Sequence, residues 1–595
     1  MPTSSSPRLL PMSGKANMVS SIPQGMTQPR FIILVTLLLA GMGGLYLLGN
    51  ESVPLWDRDE PRYAQCSREM LMGSPEHPGS DFVVPRFLGE LRLAKPPMVY
   101  WLQAGSMAVL GDTAFAARFP STVAMLAVLS IVALTVRRAT DADRALWTAF
   151  ILATSVLTFA AAKSSLTDAV LLAFTCVAQA CVFVIWQGRG CWGTFALLGT
   201  AIGLAGLTKG PITVAIVAAT LAALGLLRAI DWWRARRDPA SVQASADVGR
   251  HGTSVGLGRL IGYMAKALLA IGLVAAIVGP WIYLVEQRSP GFIRASWSTN
   301  VVDRIRRGAE GHSGPPGYYA ATIWGTYFPW SIFIPMALVF AWKGRRDPRV
   351  RFALSATLGP WIMLECVRTK LPHYFLPALP FLAFLTANAF VGFFRGEHDV
   401  LARPALARFM RSWGVVVALL ASLPWLMALR FQPQPWLALA VVSLVGTAYG
   451  ATVGVLFMRG RPHAGLVTMG VGMAALAATL FTFFLPQAQY LRTSINVAAI
   501  LKQHGATGAG EVVMQSYKEP SLAFYQGGTI RERSANAIDP QTLPPWLVTT
   551  RVIYDRTPQP VQRQFEVVGS VHGLNYAGGG RAVEVMVLHK RSPPK

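Results

Sequence analysis

The stretch Trp56-Asp57-Arg58-Asp59-Glu60-Pro61-Arg62-Tyr63-Ala64 follows the first long apolar run, and five of the six positions from Asp57 to Arg62 are charged. Charge this dense beside a membrane span is costly unless it is paired or faces a water-filled cavity. We therefore expect the rest of the chain to form a membrane scaffold that brings further polar residues to the same side as this loop.

The composition is typical of a membrane protein. The chain has 595 residues, of which 53% are hydrophobic and 14% are charged, whereas a soluble protein carries about 25% charged residues. Its mean hydropathy is +0.41, and apolar runs of about 17–25 residues recur along it. Arginines in loops between spans explain much of the net charge of +25, as in cytoplasmic loops generally, and attraction to an anionic lipid accounts for the rest. The sequence predicts a polytopic α-helical membrane protein without a nucleic-acid partner.

The distribution of basic loops predicts the topology. Of about fourteen apolar runs, residues 97–110 form a short one, and if this run lies at the interface, every strongly basic short connection becomes cytoplasmic. We therefore predict about thirteen crossings, with the N-terminus inside and the C-terminus outside. The predicted segments are a disordered cytoplasmic tail (1–30), a transmembrane domain (31–486) with outer loops 49–114 and 287–317, and an outer C-terminal domain (487–595).

The C-terminal segment differs in character from the rest of the chain. Val512-Val513-Met514 and the alternating run from Arg581 to His589 have the pattern of β-strands. The sequence therefore predicts a small α/β domain at this end.

Asp59 and Glu60 are the first candidates for chemistry. Adjacent residues on a helix point about 100° apart, so these two do not form a facing acid pair by themselves. In one interpretation, one carboxylate faces a cavity and orients or deprotonates an acceptor, while the other anchors the loop. In the alternative, both join Arg58 and Arg62 in a structural network.

Further polar residues fall on the same predicted face. Lys95, held before Pro96-Pro97, either extends to lipid head groups or meets a phosphate. Asp168 either lies at a cavity or belongs to the cap of the helix that follows it. Lys209 interrupts two apolar runs, and it too either extends to the interface or enters the cavity.

Two loops complete the set of candidates. Lys370 and Tyr374 carry donors suited to a phosphate oxygen, or they anchor helix ends at the interface. His312, at the end of loop 287–317, is either a hydrogen-bonding residue or a metal ligand. Several cations near a lipid-accessible face indicate a phosphorylated lipid ligand.

Several motifs of this chain, taken in order, resemble the lipid A aminoarabinose transferases. These enzymes belong to the GT-C superfamily, which also includes the protein O-mannosyltransferases. The segments that carry the resemblance are Arg58-Asp59-Glu60-Pro61-Arg62-Tyr63, Ser67-Arg68-Glu69-Met70-Leu71, Val84-Pro85-Arg86-Phe87-Leu88-Gly89, Lys95-Pro96, Thr208-Lys209-Gly210, His312 with Pro315, Tyr318-Tyr319, and Lys370-Leu371-Pro372 with Tyr374.

The resemblance implies a glycosyltransferase of the bacterial inner membrane. Such an enzyme takes a sugar from an undecaprenyl-phosphate carrier on the periplasmic face, and the expected reaction moves aminoarabinose to a lipid A phosphate with inversion. The site that we predict from the resemblance and the charge pattern comprises catalytic carboxylates (Asp59, Asp168 and Glu60), carrier-phosphate ligands (Lys95, Tyr374, Arg58 and Lys370) and further cavity residues (Arg62, Lys209 and His312).

One position departs from the family pattern. Ala94 stands before Lys95-Pro96 where the aminoarabinose transferases have glutamate, and that glutamate and the loop histidine form the family's metal site. We therefore expect no required cofactor, and a structural divalent metal at His312 is the alternative. Transfer of another lipid-linked sugar to a different lipid, glycan or protein acceptor is the alternative, and a transporter of a polyprenyl-linked substrate is the alternative from a different class.

Overall fold

The computed structural model describes residues 26–55, 59–237, 257–303, 313–429, 435–534, 537–576 and 578–591. Two residues of the predicted site, Arg58 and His312, lie outside the described residues. The elements of the membrane part are α1 (Gln28–Leu47), α2 (Asp59–Met72), the hairpin β1 (Arg86–Phe87) and β2 (Glu90–Leu91), α3 (Met98–Leu110), α4 (Ala114–Ala139), α5 (Ala142–Ala153), α6 (Val156–Ala162), α7 (Asp168–Trp186), α8 (Trp192–Lys209), α9 (Ile212–Arg237), α10 (Leu257–Arg288), α11 (Phe292–Trp297), α12 (Tyr318–Thr326), α13 (Ile334–Lys343), α14 (Pro348–Cys366), α15 (Leu379–Phe394), α16 (Pro404–Ser422), α17 (Pro424–Ala428), α18 (Trp436–Met458) and α19 (Pro462–Thr479).

The helices of this part have the length and apolar character of membrane spans. Among the described residues, nine helices are long and apolar enough to cross, and the pair α5 and α6, bent by 68°, makes a tenth if it is one span. The predicted polytopic helical fold is thus confirmed. The count of thirteen, which adds α8, α14 and the pair α12–α13, stays a prediction. Helix α3, with 13 residues, is about 20 Å long and falls short of a hydrocarbon core of about 30 Å.

The first helix begins earlier than predicted. The sequence analysis assigned residues 1–30 to a tail, but α1 starts at Gln28 with a proline in its first turn. Proline is tolerated there because the first backbone N–H groups of a helix have no intrahelical partner.

Helix α2 carries Asp59 and Glu60 in its first turn, where carboxylates interact favourably with the helix dipole. Helix α2 is enclosed by the rest of the protein. Of the residues from Glu60 to Met70, all but Arg62 are buried. The reason is that α2 packs between α3 on one side and the C-terminal part of the chain on the other.

The C-terminal part forms one mixed sheet with short helices. Its strand order is β4-β3-β5-β7-β6; β3 pairs in parallel with β4 and β5, and the other pairs are antiparallel. The strands predicted at Val512–Met514 and at residues 581–589 are confirmed as β3 and β7. The elements are α20 (Thr493–Gln503), β3 (Val512–Gln515), α21 (Pro520–Gln526), β4 (Arg531–Arg533), β5 (Trp546–Thr550), α22 (Arg551–Arg556), α23 (Gln559–Gln562), β6 (Phe565–Asn575) and β7 (Arg581–Lys590).

Helix α21 docks directly on α2. The Arg68 guanidinium donates to the Phe524 carbonyl at 2.8 Å and lies 4.1 Å from the centre of the Phe524 ring. Gly528 follows α21 with a φ of +79°, and a Cβ there would lie 2.3 Å from the Gln65 amide nitrogen. Glycine tolerates both this backbone and this close approach. The C-terminal sheet unit therefore forms one wall of the pocket that holds α2.

Candidate active site

Glu60 and Arg118 form a buried ion pair at the start of α2. The Arg118 Nε and Nη2 atoms lie 2.7 and 2.8 Å from the two oxygens of Glu60, and both side chains are 2% exposed. The Ser165 backbone N–H also donates to Glu60, at 2.8 Å. Arg118 donates as well to the carbonyls of residues 50, 53 and 54. The pair ties α2, α4 and the start of the loop 49–114 together.

This geometry changes the role predicted for Glu60. The sequence analysis placed it among the catalytic carboxylates, but both of its oxygens are engaged inside the protein and almost none of its surface is exposed. Its partner, Arg118, lies 58 residues away in sequence, so the pairing is set by the packing of α2 against α4. Glu60 is therefore the anchoring carboxylate of the two.

Asp59 is placed differently from its neighbour. Its side chain is 47% exposed, and one of its oxygens lies 3.5 Å from the Arg92 Nη2 atom. The Arg92 guanidinium also lies over the ring of Tyr63, 5.4 Å from its centre. Asp59 thus presents a carboxylate toward open space with a cation beside it.

A second carboxylate, Asp168, opens α7. The Lys209 ammonium at the end of α8 donates to it at 2.7 Å, and the His373 Nε2 atom lies 4.0 Å from its other oxygen. Lys209 also lies 4.9 Å from the centre of the Tyr374 ring. Three residues predicted from separate loops, Asp168, Lys209 and Tyr374, are thus brought together.

Side-chain hydrogen bonds join the segments that carry the two carboxylates. The Ser67 hydroxyl on α2 donates to the Gln103 carbonyl oxygen at 2.9 Å, and the Gln103 amide donates to the Ser165 hydroxyl at 2.8 Å. Tyr63 lies within electrostatic reach of both Asp59 and Asp168. Burial, with Asp59 adding to it, raises the pKa of Tyr63 well above its ordinary value, so this phenol stays neutral between the two acids.

Lys95 belongs to the same group of residues. Its ammonium donates to the Ala94 carbonyl at 3.0 Å, and its charge lies within electrostatic reach of Asp168. We call the group formed by Asp59, Arg92, Lys95, Asp168, Lys209, His373 and Tyr374 the two-carboxylate site.

The segment that carries Arg92 and Lys95 is held from both sides. Glu69 on α2 accepts from the backbone N–H groups of Leu88 and Gly89, at 2.8 and 3.1 Å. The Leu93 carbonyl accepts from Ser296 at 2.9 Å and from Asn300 at 2.7 Å. The hairpin, anchored on Glu69, and the start of loop 287–317 therefore hold the segment from Arg92 to Lys95 in place at the site.

Lys370 does not reach the site as a free cation. Its ammonium donates to the Glu365 carboxylate at 2.9 Å and to the Glu365 carbonyl at 2.8 Å, and its side chain is 2% exposed. Glu365 also accepts from the N–H groups of Gly317 and Tyr319. Lys370 is therefore a structural residue that joins α14 to the start of α12, which corrects its predicted role as a phosphate ligand.

Two other predicted cavity residues have different outcomes. Arg62 is half-buried, and its charge acts on Cys66 of α2 and on Glu532 of strand β4. Within the described part of the chain, no group of three or more His, Cys, Asp or Glu residues could hold a metal ion. His312, outside that part, stays untested as a ligand.

Sequence reasoning missed two members of the site. Arg92 is one of several arginines in an irregular loop, and no periodicity distinguishes it from a solvent-exposed arginine. His373 is in the Lys370–Tyr374 segment, and its one signal was its position next to Tyr374. Their membership of the site follows only from the three-dimensional structure, which places Arg92 beside Asp59 and His373 beside Asp168.

Comparison with known proteins agrees with this picture. A sequence profile of the dolichyl-phosphate-mannose-protein mannosyltransferases matches residues 94–236. The fold is that of the crystal structure of ArnT from Cupriavidus metallidurans bound to undecaprenyl phosphate, with a TM-score of 0.69 at 18% identity, over 94% of this chain and 98% of that chain. The fold and the profile together define a multi-pass membrane protein of the GT-C glycosyltransferase class.

Curated relatives narrow the class to a family. The undecaprenyl phosphate-alpha-4-amino-4-deoxy-L-arabinose arabinosyl transferase of Pseudomonas aeruginosa strain LESB58 is 30% identical over 420 residues, 69% of each chain. The enzyme of the same name from Serratia proteamaculans is 28% identical over 353 residues, 58% of this chain and 56% of its own. The chain belongs to the family of these arabinosyl transferases, which confirms the resemblance seen in the motifs.

Proposed function

We propose that this protein transfers a sugar from an undecaprenyl-phosphate carrier to a lipid acceptor, and that the two are aminoarabinose and a phosphate of lipid A. The observation that carries the proposal is the two-carboxylate site, in which Asp59 and Asp168 each have a cation beside them. The relatives in Pseudomonas and Serratia are named for the same carrier and sugar.

The donor phosphate is held by Lys95, Lys209 and Tyr374 in this proposal. The acceptor oxygen attacks the anomeric carbon from the opposite face, so the configuration at that carbon is inverted. The bond from this carbon to the phosphate oxygen breaks, and its electron pair leaves with undecaprenyl phosphate. Fixed ammonium and phenol donors stabilise the charge that develops on the leaving phosphate, and Asp168 orients Lys209 for this purpose.

Asp59 serves the acceptor. A phosphate monoester has a second pKa of about 6 and is largely ionised at neutral pH, so Asp59 orients the acceptor and takes no proton from it. A hydroxyl acceptor would instead need Asp59 as a general base.

No cofactor is required by this mechanism. The cations of the chain supply the charge stabilisation that a metal would otherwise give, and Ala94 offers no ligand. We propose that the reaction proceeds without a catalytic metal.

The site faces the periplasm in this proposal. Arg137 and Arg138 lie in the last turn of α4, at the end of that helix opposite to Arg118 and the site. Basic residues at helix ends are retained on the cytoplasmic side. The N-terminus would then be cytoplasmic and the C-terminal sheet unit periplasmic.

The test is transfer in bacterial membranes that lack their native aminoarabinose transferase. Wild-type protein is supplied with undecaprenyl-phosphate-aminoarabinose, and lipid A is analysed by mass spectrometry. We expect a mass gain of one aminoarabinose. If folded protein gives no gain, the substrates are wrong, and the same assay with other undecaprenyl-phosphate sugars follows.

A further inference from the structure

Arg92 is a buried cation that the proposed chemistry does not yet use. Its side chain is 12% exposed, and within the described residues its one ion pair is the 3.5 Å contact with Asp59. Its Nε atom is buried and has no hydrogen-bond partner there. Its other neighbours include the ring of Tyr63, the phenol group of Tyr100 and the thiol of Cys66.

A guanidinium in this position has unused binding capacity. It carries five N–H donors in a planar fork that matches the oxygens of a phosphate. Leaving a buried donor unpaired costs free energy, and a contact of 3.5 Å is longer than a charge-assisted hydrogen bond. The geometry therefore leaves room for a better acceptor than Asp59 at the exposed edge of Arg92.

The backbone holds this cation in a fixed place. The Arg92 N–H donates to the Pro85 carbonyl at 2.9 Å, and the next residue, Leu93, accepts from Ser296 and Asn300 through its carbonyl. A fixed cation loses little conformational entropy when an anion binds to it.

Two cation groups stand at the two carboxylates. Lys209 and Lys95 lie by Asp168, whereas Arg92 lies by Asp59. A reaction between a phosphate-linked donor and a phosphate acceptor brings two anions together, and each needs its own counter-charge. Asp59 alone would repel an anionic acceptor.

We propose that Arg92 binds the acceptor phosphate and so makes the protein specific for phosphate monoesters over hydroxyl acceptors. This inference rests on the proposed function for the direction of transfer. Arg92 offsets the charge of Asp59 and pairs with the incoming phosphate, while Lys95 and Lys209 hold the donor.

The first test is steady-state transfer at varied donor and varied lipid A, with wild type, Arg92→Gln, Arg92→Lys and the control Arg86→Gln. Arg86 lies in the hairpin just before Arg92 and donates to the Gly89 carbonyl at 3.3 Å. We expect Arg92→Gln to raise the KM for lipid A about tenfold or more, with the donor KM unchanged and partial recovery in Arg92→Lys. A raised donor KM, or equal effects of the Arg86 and Arg92 changes, would overturn the inference.

The second test needs no turnover. Lipid A, with and without its phosphates, is titrated onto protein in nanodiscs without donor. We expect phosphorylated lipid A to bind more tightly, with that preference lost in Arg92→Gln and kept in Lys95→Ala and Arg86→Gln. Thermal unfolding of each variant confirms that it is folded. If wild type shows the preference but transfers nothing, the proposed function fails; if it transfers and Arg92→Gln keeps the preference, this inference fails.

Discussion

At the scale of single residues, the adjacent carboxylates Asp59 and Glu60 at the start of α2 have different environments and different roles. Asp59 is half-exposed beside Arg92, whereas Glu60 is enclosed with Arg118. The helical angle between neighbours predicted this division from sequence, but not which residue takes which role. That choice depends on Arg118, whose place against Glu60 is fixed by how α4 packs.

Replacing Arg118 with methionine should destabilise the protein strongly. Glu60 would remain buried without its partner, and such breakage costs about 3–5 kcal/mol. The measurement is thermal unfolding in detergent. Arg403→Met is the control, since its ion pair with Asp399 is exposed and surface pairs of this kind contribute little to stability. Equal stability of the two variants would contradict the structural role of the buried pair.

The same limit on sequence reasoning applies to the cations. Lys209 was predicted and does contact Asp168, and Tyr374, also predicted, lies beside Lys209, because loops at one face of a bundle lie close together. Lys370 was predicted with them, yet it turns toward Glu365. A loop sequence shows that a lysine is present, and the direction of its side chain follows only from the acid within reach.

At the scale of elements, α2 is held between membrane helices and the C-terminal sheet unit. Arg68 makes two of these contacts, to Asp112 and to the Phe524 carbonyl, and it also donates to Gln65 within α2. The strands of the sheet unit could be predicted from alternation, but its docking on α2 could not, since no local pattern encodes a contact across 456 residues.

Arg68→Met should loosen this docking. Each hydrogen bond to a charged group that is lost costs about 1.5–3 kcal/mol of stability. We expect a lower thermal unfolding midpoint and faster proteolysis between the membrane part and the sheet unit. Arg531→Met is the matched control, because its ion pair with Glu76 spans the same interface but is exposed. A variant as stable as this control would contradict a docking role for Arg68.

The hairpin that precedes Arg92 has a pH-dependent anchor. Burial raises the pKa of Glu69 above its ordinary 4.5, although Gln65, Gly89 and Leu88 donate to it and oppose the shift. A carboxyl group with a raised folded-state pKa favours the folded state most below pH 4.5, and this contribution is lost as pH rises through the raised value.

We therefore expect Glu69→Gln to remove the contribution of Glu69 to the pH dependence of folding stability. We compare the thermal unfolding midpoints of the variant and of wild type at each pH. The midpoint of the variant minus that of wild type should be larger at about pH 7.5 than at about pH 4.5. The measurement is thermal unfolding in detergent at both pH values. A difference between the two proteins that stays constant with pH would show that Glu69 does not titrate in this window.

At the scale of the whole molecule, the helical bundle and the sheet unit were both predicted, and the number of spans was not fixed. Hydropathy alone gives nine or ten spans in the described part, because α5–α6 is bent and α12 and α13 are short. The apolar runs of the sequence predict about fourteen candidates, and the charge in the loops removes one of them. The same loop charge is the basis of the proposed orientation.

The orientation can be tested by cysteine labelling. In a cysteine-free background, Gln559→Cys in the sheet unit should react with a membrane-impermeant maleimide in spheroplasts. Arg346→Cys, after α13, should react only after permeabilisation. The opposite pattern would place the two-carboxylate site in the cytoplasm and remove access to a periplasmic acceptor.

The most direct measurement of the central claim compares wild type with Asp59→Asn and Lys95→Ala in the aminoarabinose transfer assay at equal expression. We expect both variants to lose transfer by at least about a hundredfold while keeping the wild-type unfolding midpoint. Transfer that survives in both variants would show that the chemistry lies elsewhere than the two-carboxylate site.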